Sequence, residues 1–248
     1  MSKPGKRRLD QVLVERGLVE SRARAQALIM AGHVYSETRR LDKAGQQVAP
    51  DLAIEIKGQE HPWVSRGGLK LAHGLDQFQI DPTGLTCLDV GASTGGFSDV
   101  LLSHGAGKVY AVDVGHGQLA WKLRQDDRVV VIEKFNARNL SPEQIPDPVD
   151  LIVCDASFIG LQTVLPAALA LAAPNARLIA LIKPQFEVGK GRVGKGGVVR
   201  DPELHTEVVE KISCWLADLP GWHVIGTTAS PIKGPEGNIE FLIGGTLD

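Results

Sequence analysis

Cysteine is scarce in this sequence, and its three copies, Cys87, Cys154 and Cys214, lie far apart without a CxxC pair. This spacing excludes a disulfide framework and a cysteine-based structural zinc site, and it favours a reducing compartment. Long apolar runs are also absent, since a run such as 165–174 is much shorter than the roughly 20 residues that span a bilayer. The basic, polar amino terminus lacks the apolar core of a signal peptide. We therefore expect a cytoplasmic protein that uses neither a metal ion nor a membrane.

Net charge is nearly absent as well, because 27 Lys and Arg residues offset 29 Asp and Glu residues to a formal charge of −2. The distribution is uneven, however. Residues 1–40 contain nine basic residues against four acidic ones, and residues 183–200 contain five against one. Clustered cations on an otherwise acidic chain are typical of a protein that contacts nucleic acid.

The segment 8–34 predicts a pair of short amphipathic helices. Apolar residues recur at helical spacing in both halves, namely Leu9, Val12 and Leu13, then Ala25, Leu28 and Ile29. Gly17 has the position of a residue that ends the first helix, and Ser21 has that of the amino-terminal cap of the second. The strings VYSETRRL, QQVAPD and LAIEIKG then predict short strands and turns. Together these features predict a compact α+β unit over residues 1–60.

The string RLD…RGLVESRARAQALIMAGHV within 8–34 resembles the S4 RNA-binding domain. In that family the helix pair presents basic side chains to a structured RNA backbone. The resemblance implies this role for Lys6, Arg7, Arg8, Arg22 and Arg24. A solvated helix face without a partner is the alternative. Phosphate contacts of this kind would supply affinity and orientation rather than sequence choice.

A second group of basic residues is predicted to contact RNA outside this unit. It consists of Arg66, Lys190, Arg192 and Lys195. The last three lie in the segment 186–205, which holds five glycines and is expected to be a mobile loop that orders on RNA. A glycine-rich surface loop without a partner is the alternative.

Apolar strands alternate with helices over residues 67–248, after a linker at 61–66. Strands are predicted at 86–90, 108–114, 128–133, 149–155, 177–184, 222–230 and 239–246, and helices near 96–104, 160–172 and 202–217. Continuous apolar strands between helices indicate a parallel sheet that is covered on both faces. The last two strands are expected to pair as an antiparallel edge hairpin. The predicted fold class is therefore α/β, with a Rossmann-like seven-stranded sheet after the small α+β unit.

A glycine-rich turn, GASTGG at 91–96, follows the first strand of this sheet. It does not match GxGxxG, and it lacks the lysine of a phosphate-binding loop. Acidic and amide residues also follow the strand ends, where such sheets bind ligands, and this layout indicates an S-adenosylmethionine site. A Rossmann-like turn without a cofactor is the alternative. The predicted cofactor-binding residues are Asp89, Gly91, Ala92, Ser93, Thr94, Gly95, Gly96, Phe97, Asp113, Val114, Asn136, Ala137 and Asp155.

The residues at the ends of the fourth and fifth strands bear on which acceptor is methylated. An amino-group methyltransferase would carry a D/N-P-P-aromatic turn, whereas the string CDASF at 154–158 has no proline. A carbon-5 methyltransferase needs a reactive thiol, but Cys154 lies within an apolar strand, where cysteine is usually inert. An alcohol acceptor needs a cation or a base, and Lys183 ends the fifth strand at the same rim as Asp155.

A second cation and a second carboxylate complete this candidate catalytic set. They are Lys70 in SRGGLK and Glu240 in GNIEF. Considered alone, neither residue needs a catalytic role, because Lys70 could simply lie on a helix face and Glu240 on an edge strand. Taken together with Asp155 and Lys183, they form a Lys-Asp-Lys-Glu set in which each charge affects the protonation of the others.

Six strings, SRGGLKL, LDVGASTGGF, VYAVDVG, DLIVCDASFI, LIKPQFE and GNIEF, look like the TlyA family, also labelled hemolysin A, whose catalytic half is FtsJ/RrmJ-like. The resemblance covers both domains in the same order. It implies S-adenosylmethionine-dependent 2′-O-methylation of ribosomal RNA, specifically of cytidine, by Lys70, Asp155, Lys183 and Glu240. Three other classes stay open: a membrane-active cytolysin, a non-catalytic rRNA-binding or ribosome-assembly factor, and a small-molecule O-methyltransferase.

Overall fold

The computed structural model describes residues 5–19, 21–30, 32–56, 61–189, 191–234 and 236–248. They divide into two compact units, Met1–Pro62 and Trp63–Asp248. The boundary between the units falls inside the segment 61–66 that the sequence suggests as a linker, so residues 63–66 belong to the second unit.

The first unit is a small α+β structure. Its elements in chain order are β1 (Arg7–Arg8), α1 (Leu9–Glu15), α2 (Arg22–Met30), β2 (Val34–Ser36), β3 (Arg39–Arg40), β4 (Gln47–Val48) and β5 (Glu55–Ile56). β1 pairs antiparallel with β4, and β2 lies between β3 and β5 in a three-stranded sheet. The two helices and the sheet meet at a core that contains the fully buried Leu13, Ile29 and Val34. Because burial of each such side chain contributes about 1.5–3 kcal/mol, this core stabilises the unit.

The connection between α1 and α2 follows the sequence prediction. After α1, Gly17 adopts a φ of 65°, and the Leu18 amide donates a hydrogen bond of 2.9 Å to the Leu13 carbonyl. This pairing is that of a Schellman-type helix end. The Ser21 hydroxyl accepts a hydrogen bond of 3.2 Å from the Arg24 amide and so caps α2. Both predicted helix boundaries are confirmed.

The second unit contains one large mixed sheet. Its elements in chain order are α3 (Gly67–Gln77), β6 (Thr86–Val90), α4 (Gly96–Ser103), β7 (Lys108–Val112), α5 (Trp121–Arg124), β8 (Val129–Ile132), β9 (Val149–Cys154), α6 (Leu161–Val164), α7 (Pro166–Leu169), β10 (Ala172–Ile182), α8 (Pro184–Glu187), α9 (Pro202–Ala217), β11 (Trp222–Ala229) and β12 (Phe241–Leu247). The strand order is β11-β12-β10-β9-β6-β7-β8, and β6 to β10 run parallel. The predicted seven-stranded, Rossmann-like sheet is confirmed.

The predicted antiparallel pairing of the last two strands at one edge of the sheet is confirmed: β11 is the edge strand, and β12 pairs with both β11 and β10. One detail of the prediction is wrong. The single helix expected over 160–172 is two short helices, α6 and α7. Pro166 begins α7 and has no N–H with which to continue the hydrogen bonds of α6.

Apolar side chains cover both faces of the large sheet. Residues of α6, α7 and α9, such as Leu161 and Ile212, pack on one face, and residues of α3 and α4, such as Leu71 and Leu101, pack on the other. The carboxyl ends of β6, β7, β9 and β10 therefore meet at one uncovered rim, where ligands of parallel sheets bind. None of the helices within the described ranges has the length and apolar character of a membrane span.

Candidate active site at the carboxyl edge of the sheet

The glycine-rich turn after β6 lies against the end of β9. Gly91 has a φ of 84°, and its amide donates a hydrogen bond of 2.9 Å to the Val112 carbonyl at the end of β7. A Cβ atom on Gly91 would lie 3.0 Å from the Ala156 Cα and 3.1 Å from the Asp155 carbonyl oxygen. Position 91 therefore requires glycine for both its conformation and its close backbone approach.

Asp113, directly after β7, ties the loops of this rim together. One carboxylate oxygen accepts a hydrogen bond of 2.8 Å from the Ser93 amide, and the other accepts one of 2.6 Å from the Gly115 amide. Each carboxylate oxygen can accept a second hydrogen bond. The Asp113 side chain is thus held in one orientation while it keeps capacity for two hydroxyl groups of a ligand.

Two adjoining cavities open at this rim. The first, here called the Asp113 cavity, has a volume of about 460 Å³. Its lining includes Asp113, Val114, Phe135, Asn136, Ala137 and Ile159. The second, here called the lysine cavity, has a volume of about 730 Å³ and is lined by Lys70, Lys183 and Glu240 among others. Gly91, Ser93, Asp155, Ser157 and Phe158 line both cavities.

The structure brings the four predicted catalytic residues together in the lysine cavity. Lys183 Nζ lies 2.5 Å from Asp155 Oδ1, and Lys70 Nζ lies 3.8 Å from Asp155 Oδ2. Glu240 Oε2 accepts a hydrogen bond of 2.6 Å from Lys70 Nζ. Lys70, Lys183 and Glu240 are buried, whereas the Asp155 side chain keeps 20% of its exposure.

Four separate elements supply this cluster: α3 carries Lys70, and Asp155, Lys183 and Glu240 stand after β9, after β10 and before β12. Removing such ions from water costs several kcal/mol per ion, and apolar residues of similar volume would often hold a fold equally well. This set of two lysines and two carboxylates, which are paired and largely removed from water in a cleft, is therefore a candidate for a catalytic role rather than for stabilising the fold.

Two site residues at this rim were missed by the sequence prediction. The Ser157 hydroxyl accepts a hydrogen bond of 2.8 Å from Lys183 Nζ. Phe158 is 91% exposed with a φ of 65°, and its ring centroid lies 5.3 Å from that of Phe186. The signal available was the string CDASF, which places a hydroxyl and an aromatic residue just after the acid of the strand end.

Most of the predicted cofactor-binding residues line one of the two cavities. Ala92, Thr94, Gly96 and Phe97 line the lysine cavity, and Asp113, Val114, Asn136 and Ala137 line the Asp113 cavity. Gly91, Ser93 and Asp155 line both, as noted above. The remaining two residues, Asp89 and Gly95, line neither cavity.

Asp89 precedes the glycine-rich turn at the end of β6, and Gly95 is within the turn. Asp89 is fully buried, and its Oδ2 accepts hydrogen bonds from the Ser98 amide and hydroxyl at 2.9 and 2.7 Å. Burial raises the pKa of the Asp89 carboxyl group to about 7. Gly95 has a φ of 97°, and a Cβ there would lie 2.2 Å from Leu123 Cδ1. Both residues therefore shape the start of α4 beneath the turn.

Cys154 is a core residue, as predicted. It is fully buried in the apolar cluster of the sheet, and burial raises the pKa of its thiol to about 12. A thiol that stays protonated is a poor nucleophile. Within the described residues, no group of three or more His, Cys, Asp or Glu side chains is placed to hold a metal ion.

The predicted RNA-contacting residues of the first unit are not all freely solvated. Arg7 forms an ion pair of 2.7 Å with Glu15, and Arg8 and Arg22 both bind the buried carboxylate of Asp10. Lys6 is exposed and Arg24 is half-buried. Asp10 is a further residue that the sequence prediction missed.

The predicted RNA-contacting residues of the second unit lie in different surroundings. Arg66 lines the lysine cavity and donates a hydrogen bond to the Lys233 carbonyl. Arg192 forms an ion pair of 2.5 Å with Glu207, and Lys195 is exposed. Lys190 lies outside the described residues.

Comparison with known proteins agrees with this geometry. Residues 63–247 match the model of the FtsJ-like methyltransferase family, and residues 7–54 match that of the S4 domain. The 16S/23S rRNA (cytidine-2′-O)-methyltransferase TlyA of Mycobacterium tuberculosis is 50% identical over 95% of this chain and 88% of its own length. Hemolysin A of Brachyspira hyodysenteriae is 42% identical over 95% of this chain and 98% of its own length.

A solved structure is similar to this chain in both fold and sequence. The protein from Streptococcus thermophilus named "putative hemolysin" has a TM-score of 0.77 and 41% identity, with 98% of this chain and 89% of that chain covered. The family models together span most of the chain, and the relatives match across both units. The chain therefore belongs to the FtsJ-like methyltransferases and, among them, to the TlyA family, and it carries an S4 domain at residues 7–54.

Proposed function

We propose that this protein methylates the ribose 2′-hydroxyl of a cytidine in ribosomal RNA, with S-adenosylmethionine as the methyl donor. The observation that carries the proposal is the buried cluster of Lys70, Asp155, Lys183 and Glu240, which opens into a cavity adjoining the Asp113 cavity. Two cations and two carboxylates that face a donor site suit an alcohol acceptor, because the hydroxyl must lose a proton as it is methylated.

The residues of the Asp113 cavity fit S-adenosylmethionine. Asp113 keeps lone pairs for the two hydroxyls of a ribose, and Val114, Ala137 and Ile159 supply apolar contacts for an adenine ring. Gly91 and Ser93 line both this cavity and the lysine cavity, so a donor that extends from one to the other would pass beside them. When bound, the donor supplies an electrophilic methyl group on a sulfonium centre.

In this proposal Lys183 moves the proton. Its Nζ is held between Asp155 Oδ1 and the Ser157 hydroxyl. Once the ammonium group has released one proton to solvent, the neutral amine takes up the proton of the 2′-hydroxyl and becomes ammonium again. Asp155 orients Lys183 on one side and contacts Lys70 on the other, while Glu240 keeps Lys70 in position. General-base assistance of this kind contributes about 10²–10⁴-fold to a rate, and fixed placement contributes further.

Phe158 is suited to hold the base of the target nucleotide. Its exposed ring stands at the junction of both cavities, beside Ser157. RNA-modifying enzymes commonly read an unstacked base against an aromatic ring, since a flipped base must recover the stacking that it loses. We therefore assign Phe158 to the target base and not to the core.

The remaining assignments follow the division of the chain. Residues 1–60 would bind the RNA backbone through basic side chains, residues 61–66 would link the units, and residues 67–248 would perform the transfer. The ribosomal subunits are the expected partners, and the expected cellular location is the cytoplasm. No metal ion has a step in this account.

The test is to incubate the purified protein with a radiolabelled methyl donor and each purified ribosomal subunit. We expect label in one or both rRNAs and, in each labelled rRNA, a block to alkaline cleavage at the ribose of a cytidine. Label on a base, or none on any RNA, would contradict the proposal. Dye release from liposomes by the same protein would instead favour the cytolysin class, for which no release is expected.

A further inference from the structure

Asp10 is an ionisable residue that the proposed chemistry does not use. Its side chain has no exposure, although it lies on the short helix α1 of the small first unit. Oδ1 accepts a hydrogen bond of 3.0 Å from Arg8 Nε, and Oδ2 accepts bonds from Arg8 Nη2, Arg22 Nη2 and Gln26 Nε2 at 2.9, 3.1 and 3.0 Å. These bonds, with those from Arg8 as the main cause, hold the pKa of Asp10 well below its usual range.

The same bonds place two guanidinium groups side by side. Arg8 ends β1 and Arg22 begins α2, yet both bind through Nη2 to one oxygen of Asp10. Their side chains keep 41% and 53% of their exposure. An arginine has five N–H donors, and these bonds occupy two on Arg8 and one on Arg22. Each guanidinium can thus bind a second acceptor without leaving Asp10.

The charge of this trio suits one ligand class. Two guanidiniums and one carboxylate leave a net charge of +1, which matches a single phosphodiester. Paired planar guanidiniums also match the oxygen geometry of phosphate better than ammonium groups do. The surrounding segment 1–40 carries an excess of basic residues, so a polyanion is the partner that the unit favours.

We propose that Arg8 and Arg22 clamp one backbone phosphate of the RNA, and that Asp10 is the positioning residue that sets the spacing of the clamp. This inference rests on the proposed RNA-binding role of the first unit. It adds a residue that carries the wrong charge for RNA and that nonetheless strengthens binding.

The sign of the effect separates positioning from bulk electrostatics. If only net charge mattered, removing a carboxylate near an RNA phosphate would strengthen binding. If Asp10 sets the geometry of the clamp, its removal lets two long cationic side chains separate and lose their common acceptor. Asp10→Asn keeps the shape of the side chain while removing its charge.

The experiment measures binding of the full-length protein to a fluorescein-labelled rRNA fragment by anisotropy over a range of salt concentrations. For Asp10→Asn we expect at least tenfold weaker binding and a salt slope smaller by about one, as for one lost phosphate contact. The matched control is Glu15→Gln, which removes an exposed carboxylate paired with Arg7 in the same unit and should bind as well as wild type or better. Equal or tighter binding by Asp10→Asn would overturn the proposal.

A variant that lacks both arginines distinguishes loss of the clamp from loss of folding as the cause of weaker binding. Arg8→Ala/Arg22→Ala should bind weakly, and adding Asp10→Asn to it should cause no further loss, because Asp10 acts only through the two arginines. A further loss in the triple variant would mean that Asp10 supports the unit in general, and the clamp would be wrong. Methyl transfer to the same RNA is scored separately: wild-type binding without transfer would contradict the proposed function and leave the clamp standing.

Discussion

Asp89 illustrates how a single buried carboxyl group can couple this fold to pH. It lies beneath the glycine-rich turn, where burial raises its pKa to about 7. In the unfolded chain an aspartate has a pKa of about 3.9. Between these values the folded state binds the proton and the unfolded state does not, so the contribution of Asp89 to the free energy of unfolding falls as pH rises from about 4 to 7.

Asp89→Asn should remove this dependence. By linkage the wild-type loss is on the order of 4 kcal/mol, whereas the neutral amide has no proton to release. Urea unfolding of both proteins at pH 5 and pH 8 measures the change in the free energy of unfolding. We expect the variant to be more stable relative to the wild type at pH 8 than at pH 5. Parallel pH profiles for the two proteins would mean that Asp89 is ionised in the fold.

Gly91 should tolerate no side chain. Gly91→Ala combines a left-handed backbone with a Cβ about 3 Å from the backbone at Ala156, so we expect loss of S-adenosylmethionine binding. Gly84→Ala is the matched control, because Gly84 also has a positive φ, of 74°, but has no neighbouring atom within 4 Å of a Cβ. Calorimetric titration should show binding in the control, which carries only the backbone strain of about 1–3 kcal/mol.

At the scale of elements, Asn238 holds two loops of the lysine cavity together. It is buried, its Nδ2 donates to the Gly197 carbonyl at 2.9 Å, and its Oδ1 accepts from the Val199 amide at 3.0 Å. Gly196 and Gly197 line the cavity, and Glu240 follows two residues after Asn238. Asn238 thereby connects the glycine-rich segment to the loop that carries a catalytic candidate.

Asn238→Ala should loosen the segment 191–200. Loss of two buried hydrogen bonds, each worth about 1 kcal/mol, should speed tryptic cleavage in that segment about tenfold or more. Asn139→Ala, at an exposed position, is the control. If RNA orders the segment, adding RNA slows cleavage of the wild type. A variant cleaved at the wild-type rate would show that Asn238 does not restrain this loop.

Strand positions could be predicted well from sequence because each strand is a short apolar run between turn residues. The position of β12 between β10 and β11 could not be predicted, because pairing between strands that are distant in the sequence leaves no local pattern. Pro166 does indicate a boundary between α6 and α7, but the apolar residues around it favour one continuous helix. The four-residue cluster was predictable in part, because Asp155 and Lys183 directly follow strand ends and the topology brings such ends to one rim.

Other site residues depend on contacts that a sequence does not display. Ser157 acquires its role from the distance to Lys183, and Asp10 from two arginines that approach it in the folded unit. Asp89 has the sequence position of a cofactor contact, but the turn folds over it and covers its side chain. Burial and hydrogen bonding, rather than residue type, decide these three cases.

At the scale of the whole molecule, the two units should respond differently to salt. RNA affinity should fall steeply between 50 and 200 mM salt, because phosphate contacts release counterions, with each contact adding close to one to the slope. Affinity for S-adenosylmethionine should change little, since the Asp113 cavity offers a mostly apolar lining with few charges. Anisotropy measures the RNA affinity and calorimetry the S-adenosylmethionine affinity, both on the same preparation. A flat RNA profile would contradict backbone recognition.

Lys183 offers the most direct test of the account. Single-turnover methyl transfer to ribosomal RNA should be slower by about 10²–10⁴-fold or more in Lys183→Ala, with S-adenosylmethionine affinity near that of the wild type. Lys108→Ala, which removes a partly exposed lysine paired with Asp147 at the start of β7, should retain its rate. Full turnover by Lys183→Ala would contradict the claim that the Lys183 amine takes up the proton of the ribose hydroxyl.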